Sequence, residues 1–189
     1  GAFAVSWSTD GKLVISGGRD GAVWLWSVQG DRSPVQLDSG VSPVLALAIS
    51  ADGRLASGGG DGVLRTWASI GATKPIDVGR HEGGVLAVSW RPDDGALTSG
   101  GRDGALRLWQ VDSGAVVSDH VDDPVLSVRW SADGRWLAGG TRRGSVHVWN
   151  AGGSDEWEPL IHDAAVQAVE WSSDGRYLAC GCDDGRVRI

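Results

Sequence analysis

Residues 85–109 read VLAVSWRPDDGALTSGGRDGALRLW, and this stretch decides the fold. Short apolar runs alternate in it with turn pairs, in the order Val85 to Trp90, Asp94-Gly95, Leu97 to Gly100, Asp103-Gly104 and Ala105 to Trp109. Asp-Gly accepts the positive φ values of a two-residue hairpin turn, and large residues alternating with small ones suit a pleated strand. The stretch therefore predicts three strands joined by tight turns into an antiparallel sheet.

The same pattern recurs along the whole chain. Tryptophan returns at intervals of 41, 42 and 40 residues, at Trp26, Trp67, Trp109 and Trp149. A turn pair lies six residues before each tryptophan position, at Asp20-Gly21, Asp61-Gly62, Asp103-Gly104, Arg143-Gly144 and, in a fifth unit, Asp184-Gly185. An earlier pair keeps the same period, at Asp10-Gly11, Asp52-Gly53, Asp94-Gly95, Asp133-Gly134 and Asp174-Gly175. Three series in step exclude coincidence and predict five repeats.

A fourth strand is predicted in each segment that links one repeat to the next. These segments are Pro34 to Leu37, Pro75 to Val78, Ala115 to Val117 and Trp157 to Ile161. Proline is tolerated there because an edge strand can leave an N–H group unpaired, whereas a central strand cannot. Helical spacing does not run longer than one turn anywhere, so the sequence predicts an all-β protein with about four strands in each 41-residue unit, which is a β-propeller blade.

These motifs resemble those of the WD-repeat (WD40-type) family over essentially the whole chain. The resemblance implies five consecutive four-stranded antiparallel blades, at residues 1–42, 43–83, 84–123, 124–164 and 165–189. The fifth would lack its outer strand, giving 19 strands in an open arc of a larger ring of about seven blades. The Asp that often follows the repeat tryptophan in this family is replaced by Ser27, Ala68, Gln110 and Asn150.

Charge and composition exclude several classes of function. The formal charge of −7 and the pI near 4.9 argue against nucleic-acid binding, which needs a concentrated basic field. The sequence contains neither a signal segment nor an apolar run of the roughly 18 residues that a membrane span requires. Cys180 and Cys182 lie two residues apart, a spacing that rarely suits a disulfide, which favours a reducing, cytoplasmic location.

The third repeat contains the residues of a buried hydrogen-bond network that the family resemblance implies, namely His81, Ser99, Asp103 and Trp109. Ser, His and Asp together imitate a catalytic triad. The Ser and Asp positions recur in the first two repeats without a matching His, as Ser16 with Asp20 and Ser57 with Asp61. Catalysis does not need repeated copies, so we assign the network a structural role and predict no catalytic residue and no enzyme activity.

The last two repeats depart from this network. The fourth has Gly139 and Arg143 in the Ser and Asp positions, which predicts a blade held mainly by packing. The fifth keeps His162 and Asp184 but has Cys180 in the Ser position, which predicts a partial network. Its Cys and His do not have the spacing of ordinary zinc sites, so we predict neither a metal nor a cofactor.

The tryptophan content leaves a carbohydrate-binding, lectin-like propeller open as an alternative, and a propeller enzyme as a weaker one. The chain has 11 Trp against one Phe and one Tyr. Eight of them belong to the repeat series or end a predicted inner strand, the latter at Trp7, Trp90, Trp130 and Trp171. Only Trp24, Trp136 and Trp157 fall outside both sets, so periodicity explains most of the aromatic content.

The resemblance also implies a partner-binding face, at the starts of the inner strands and at the turns before the third strands. The residues on it are Arg19, Arg102, Arg142, Phe3, Leu45, Leu86, Leu126 and Gln167. An apolar mouth ringed by guanidinium groups suits a protein or peptide that has an apolar anchor and acidic flanks. Remaining blades or a fused effector domain are further expected partners, and the acidic segments 119–123 and 155–158 are expected to be solvated edges.

Overall fold

The computed structural model describes residues 1–30, 32–37, 40–92, 95–151 and 159–189. Within them all regular structure is β, with nineteen strands in five sheets. Asp94 of one predicted turn pair, Trp157, and the predicted acidic edge at 155–158 lie outside the described residues.

Each sheet is an antiparallel meander in chain order, from an inner to an outer strand. The inner strands are β1 (Ala2–Trp7), β5 (Val44–Ile49), β9 (Val85–Trp90), β13 (Val125–Trp130) and β17 (Val166–Trp171). The second strands are β2 (Leu13–Gly18), β6 (Leu55–Gly59), β10 (Leu97–Gly101), β14 (Trp136–Thr141) and β18 (Leu178–Cys182). The third strands are β3 (Val23–Ser27), β7 (Val63–Trp67), β11 (Ala105–Gln110), β15 (Ser145–Asn150) and β19 (Val187–Arg188). The outer strands are β4 (Val35–Leu37), β8 (Ile76–Arg80), β12 (Ala115–His120) and β16 (Leu160–Ile161).

The turns between second and third strands form as the turn pairs predict. Their glycines have positive φ, as in Gly104 at 75° and Gly144 at 97°. A Cβ on Gly144 would lie 2.3 Å from the carbonyl oxygen of His162, so this turn requires glycine for space as well as for conformation. The turn of the fourth blade therefore forms around Gly144, although Arg143 stands where the other blades have Asp.

Hydrophobic clusters join each sheet to the next. The cluster between the first two sheets combines Ile15 and Leu25 with Val44 and Leu47, and three similar clusters join the later pairs. Each inner strand after the first packs against the inner strand of the preceding sheet. The core is therefore a series of interfaces between blades, which is the arrangement of a β-propeller.

The five blades form an open arc. The described strands β1 and β17 do not pack together as consecutive inner strands do. Val5 and Trp7 on β1 are 66% and 58% exposed, whereas Val88 and Trp90, which occupy the matching positions of β9, are 3% and 7% exposed. The predictions of an all-β, five-bladed propeller and of nineteen strands are confirmed, and the seven-blade ring stays a prediction.

Candidate functional site

A repeated backbone hydrogen bond brings two segments of each blade together at one end of the sheet. In each blade, the residue just before the turn pair that joins the second and third strands donates its N–H to a carbonyl at the start of the inner strand. The five bonds run from Arg19 to Gly1 (3.1 Å), Gly60 to Pro43 (2.7 Å), Arg102 to Gly84 (2.9 Å), Arg142 to Pro124 (3.0 Å) and Asp183 to Ala165 (2.9 Å). The predicted arginines therefore share one face with the starts of the inner strands. We call this the upper face.

Each inner strand contains a β-bulge just inside the upper face. In β5 the register shifts between Val44 and Ala46, so that Leu45 has no partner of its own on β6. The equivalent shifts isolate one residue in every inner strand, namely Phe3, Leu45, Leu86, Leu126 and Gln167. These are the five inner-strand residues predicted to contact a partner. A bulge redirects a side chain away from the regular alternation, which gives a physical reason for their common position.

The leucines of neighbouring blades meet above Gly84. A Cβ built on Gly84 would lie 3.0 Å from Leu45 Cδ1 and 3.6 Å from Leu86 Cδ2. Leu45, Leu86 and Leu126 are half-buried, whereas Phe3 and Gln167 at the two ends of the arc are exposed. The middle of the upper face is thus apolar and water-accessible.

The predicted arginines differ from others nearby in having no acidic partner. Arg19, Arg102 and Arg142 are exposed and form no ion pair with any residue that the structure describes. Arg65 and Arg107, in contrast, pair with the tight-turn Asp61 and Asp103 at 2.8 and 2.9 Å. The three predicted side chains are therefore available to an external carboxylate.

The third blade brings its four network residues together. His81 Nδ1 lies 2.9 Å from an Asp103 carboxylate oxygen, and His81 Nε2 lies 2.7 Å from the Ser99 hydroxyl. Trp109 donates its indole N–H to Ser99 at 2.8 Å, so the Ser99 hydroxyl is left to donate to the imidazole. The network connects two strands of the sheet, β10 and β11, and the turn between them with the loop before β9.

Electrostatics keep this network in one protonation state. Burial lowers the pKa of His81, and the hydrogen bond from its ring to Asp103 opposes that effect only in part. Burial alone would raise the pKa of Asp103, but hydrogen bonds from His81, Arg107 and the Glu82 N–H outweigh it and hold the pKa well below its usual range. The folded state therefore favours neutral imidazole beside an ionised carboxylate.

Sequence reasoning missed Arg107 as a member of this cluster. Its guanidinium binds Asp103 and also contacts the His81 ring. The signal was present, because an Asp and an Arg four residues apart recur at Asp61 with Arg65, Asp103 with Arg107 and Asp184 with Arg188. The Asp lies in the turn and the Arg lies on the third strand four residues later, so the guanidinium group can contact the turn carboxylate.

The fourth blade has hydrogen bonds where the sequence predicted mainly packing. Trp149 donates its indole N–H to Asp119, on the outer strand of the third blade, at 2.8 Å. Asp123, in the loop before β13, accepts the backbone N–H of Arg143 at 2.5 Å. The Asp119 carboxylate thus binds the indole that the lost Ser would have bound, and the Asp123 carboxylate binds the turn backbone at the position of the lost Asp.

The fifth blade does not join its predicted network residues, since no hydrogen bond links His162, Cys180 and Asp184 to one another among the described residues. Asp184 pairs with Arg188 at 2.6 Å, and these hydrogen bonds lower the pKa of Asp184 to about 2. His162 Nε2 is buried and has no hydrogen-bond partner among the described residues. Burial raises the pKa of Cys180, which keeps its thiol protonated.

The described part of the chain contains no group of three or more His, Cys, Asp or Glu side chains that could hold a metal ion. The described residues include no helix long and apolar enough to cross a membrane.

The repeated sheets, the bulged inner strands and the shared upper face define a repeat-built β-propeller whose distinctive surface lies at one end of its blades. The sequence matches the family described as WD domain, G-beta repeat five times, over residues 2–27, 34–68, 74–110, 113–150 and 160–189. The chain belongs to this family. Its propellers typically mediate protein–protein interactions and are generally non-enzymatic. No curated protein matched the chain as a relative.

Proposed function

We propose that this chain is a non-catalytic scaffold that holds a protein or peptide partner on its upper face. The observation that carries the proposal is the coincidence of two repeated features at that face. Every inner strand has its bulge there, and three arginines without acidic partners lie beside the bulged residues. Exposed cations beside a half-buried apolar surface are what an interaction site requires.

The chemistry of the face favours a polypeptide with an apolar anchor and acidic flanks. Leu45, Leu86 and Leu126 can release water when an apolar side chain covers them. Guanidinium groups bind carboxylates through two parallel hydrogen bonds, and such bonds strengthen when the leucines exclude water. The partner is therefore recognised by an apolar centre and by carboxylates at its edges.

The burial of the triad-like residues supports a structural role for them. Ser99 is 0% and His81 1% exposed, so a substrate carbonyl cannot reach either side chain without unfolding the blade. Ser99 is also engaged with the Trp109 indole. An acyl-transfer enzyme needs its nucleophile at a surface that substrate can enter.

We propose a reducing compartment, such as the cytoplasm, as the location. Cys180 and Cys182 are both buried and both free. A buried thiol with a raised pKa resists oxidation, but a reducing environment protects it whenever the blade opens.

The test reverses the charge of the upper face. A peptide array with Leu-rich centres and Glu or Lys flanks is probed with the wild-type chain and with a variant carrying Arg19→Glu, Arg102→Glu and Arg142→Glu. We expect the variant to lose at least about tenfold in affinity for acidic-flank peptides, because three attractions become repulsions.

The matched control applies an equal charge change at the other end of the sheets. Lys12, Arg135 and Arg176 are exposed and follow the turns between first and second strands. A variant with Lys12→Glu, Arg135→Glu and Arg176→Glu should bind as the wild type does. Equal loss in both variants, or unchanged binding in the upper-face variant, would refute the proposal.

A further inference from the structure

The five positions before the tight-turn residues are equivalent in backbone geometry but differ in charge. Each donates the same hydrogen bond to the start of its inner strand. In chain order they are Arg19, Gly60, Arg102, Arg142 and Asp183, which is a cation, a neutral residue, two cations and an anion. Because the geometry is equivalent and the charges differ, the parts of the upper face that belong to different blades favour ligand groups of different charge. We call these parts sectors.

We propose that the upper face recognises a bipolar peptide, with an acidic side chain over the third and fourth blades and a basic side chain over the fifth. This inference rests on the proposed function and specifies the partner's charge order, because acidic flanks on both sides would not match all five blades. The apolar centre of the peptide lies against the leucines of the second, third and fourth blades.

The third and fourth blades supply the cationic sector. Arg102 and Arg142 lie on adjacent blades, beside the bulged Leu86 and Leu126. The Arg102 side chain lies against Gly83, since a Cβ built there would be 3.2 Å from Arg102 Cβ. Glu82 and Asp122 in the preceding loops form no ion pair with either arginine among the described residues. The guanidinium groups of two adjacent blades are thus open to carboxylates of a ligand.

The fifth blade supplies the anionic sector. Asp183 and Asp163 are exposed, and neither forms an ion pair within the described residues. The neighbouring Asp184 is occupied by Arg188, so it does not compete for a ligand cation. The bulged residue of this blade is Gln167, which is exposed and polar where three other blades have Leu. A lysine or arginine of the ligand fits this sector, and Gln167 can bond its backbone.

Charge order of this kind acts mainly on specificity. Exposed ion pairs contribute little individually, but like charges opposed across a surface repel each other. A mismatched peptide therefore loses one attraction and gains one repulsion. A peptide with Glu on both sides meets Asp183 and Asp163, whereas one with Lys on both sides meets Arg102 and Arg142. Only a peptide with one flank of each sign satisfies both sectors.

The experiment uses four labelled peptides with the same Leu-rich centre. Two have Glu on one flank and Lys on the other, in the two possible orders; one has Glu on both flanks and one has Lys on both. Affinity is measured by fluorescence anisotropy at low salt. For the wild type we expect the better mixed peptide to bind about tenfold tighter than either uniform peptide.

The decisive variant is Asp183→Arg, which should transfer the preference to the peptide with Glu on both flanks. The control is Asp112→Arg, an equal charge change at an exposed position in the turn between β11 and β12, at the opposite end of the sheet. It should leave the order of affinities unchanged.

The outcomes separate the two proposals. Equal binding of the mixed and doubly acidic peptides, lost in the Arg19, Arg102 and Arg142 variant, would overturn the charge order and leave the proposed function standing. Failure of the wild type to bind any of the four peptides would overturn both. A change of preference in Asp183→Arg supports both.

Discussion

The third and fourth blades pair the indole N–H of their repeat tryptophan with different partners. In the third blade the repeat tryptophan donates to Ser99, which His81 and Asp103 hold in position. In the fourth blade Trp149 donates to Asp119 of its neighbour. Both sheets therefore pair their indole N–H, although the fourth has Gly139 where the third has Ser99.

The difference lies in burial and in the origin of the partners. His81 and Ser99 are buried and the Asp103 side chain is 9% exposed, and all three belong to the blade or to its preceding loop. Asp119 is exposed and belongs to another blade. Hydrogen bonds in a buried network strengthen one another, and leaving one member unpaired is costly. We expect the third blade to depend on specific residues and the fourth to tolerate replacement.

The largest expected effect is that of His81→Ala. The change leaves a cavity and removes partners from both Ser99 and Asp103, so the free energy of unfolding should fall by about 3 kcal/mol. Urea denaturation followed by tryptophan fluorescence measures it. His120→Ala, at an exposed position of β12, is the control and should change stability little. Similar losses in the two variants would contradict a special role for the network.

The next effect is that of Asp123→Ala in the fourth blade. Asp123 is buried and its carboxylate accepts the Arg143 N–H, so its removal should cost about 2 kcal/mol. Denaturation beside Asp122→Asn isolates the buried carboxylate, because Asp122 is exposed and Asn accepts its positive φ of 52°. If Asp123→Ala were as stable as the wild type, the hydrogen bond from Arg143 to Asp123 would contribute nothing to the stability of the fourth blade.

A smaller effect is expected from restoring the network residue at position 139. A Cβ on Gly139 would lie 3.1 Å from the Trp149 ring and 3.5 Å from Leu106 Cδ1. Gly139→Ser should therefore lower the free energy of unfolding by about 1 kcal/mol, although it recreates the residue of the third blade. Gly139→Ala separates steric strain from any gain by the hydroxyl. Stabilisation by Ser but not by Ala would show that the indole prefers its own blade.

The smallest effect is the pH dependence that His81 adds. Its pKa is lowered in the folded state, so the unfolded chain takes up a proton at higher pH than the folded chain does. The stability from neutral His81 is complete above the unfolded pKa near 6.5 and declines as pH falls toward the folded value. The unfolding free energy from pH 8 to 5 should fall more steeply for the wild type than for His81→Gln. Parallel slopes would contradict a buried neutral imidazole.

Much of the fold followed from short-range patterns. Turn pairs predict where strands end because Gly104 needs positive φ whatever surrounds it. The residues of the third-blade network followed from the family resemblance, applied to the matching repeat positions. Arg107 was missed because only its position beside Asp103, across the turn, gives it a role. The Trp149 partner could not be found, since Asp119 is 30 residues away on another sheet.

The upper face was also predicted only in part from the sequence. The family resemblance predicted Arg19, Arg102 and Arg142 as partner-binding residues, but it did not show that they lack acidic partners while Arg65 and Arg107 have them. It also identified the five inner-strand residues, whereas the bulges that set them apart became visible only in the strand register.

The sequence by itself determined the five repeats, their strands, their turns and the residue types at each equivalent position. These depend on alternation, on glycine conformation and on period, which act over a few residues. The tertiary structure alone decided which polar groups pair across blades and which charges remain available at the upper face. Those outcomes depend on how adjacent sheets pack and twist, which brings together side chains that no local pattern relates.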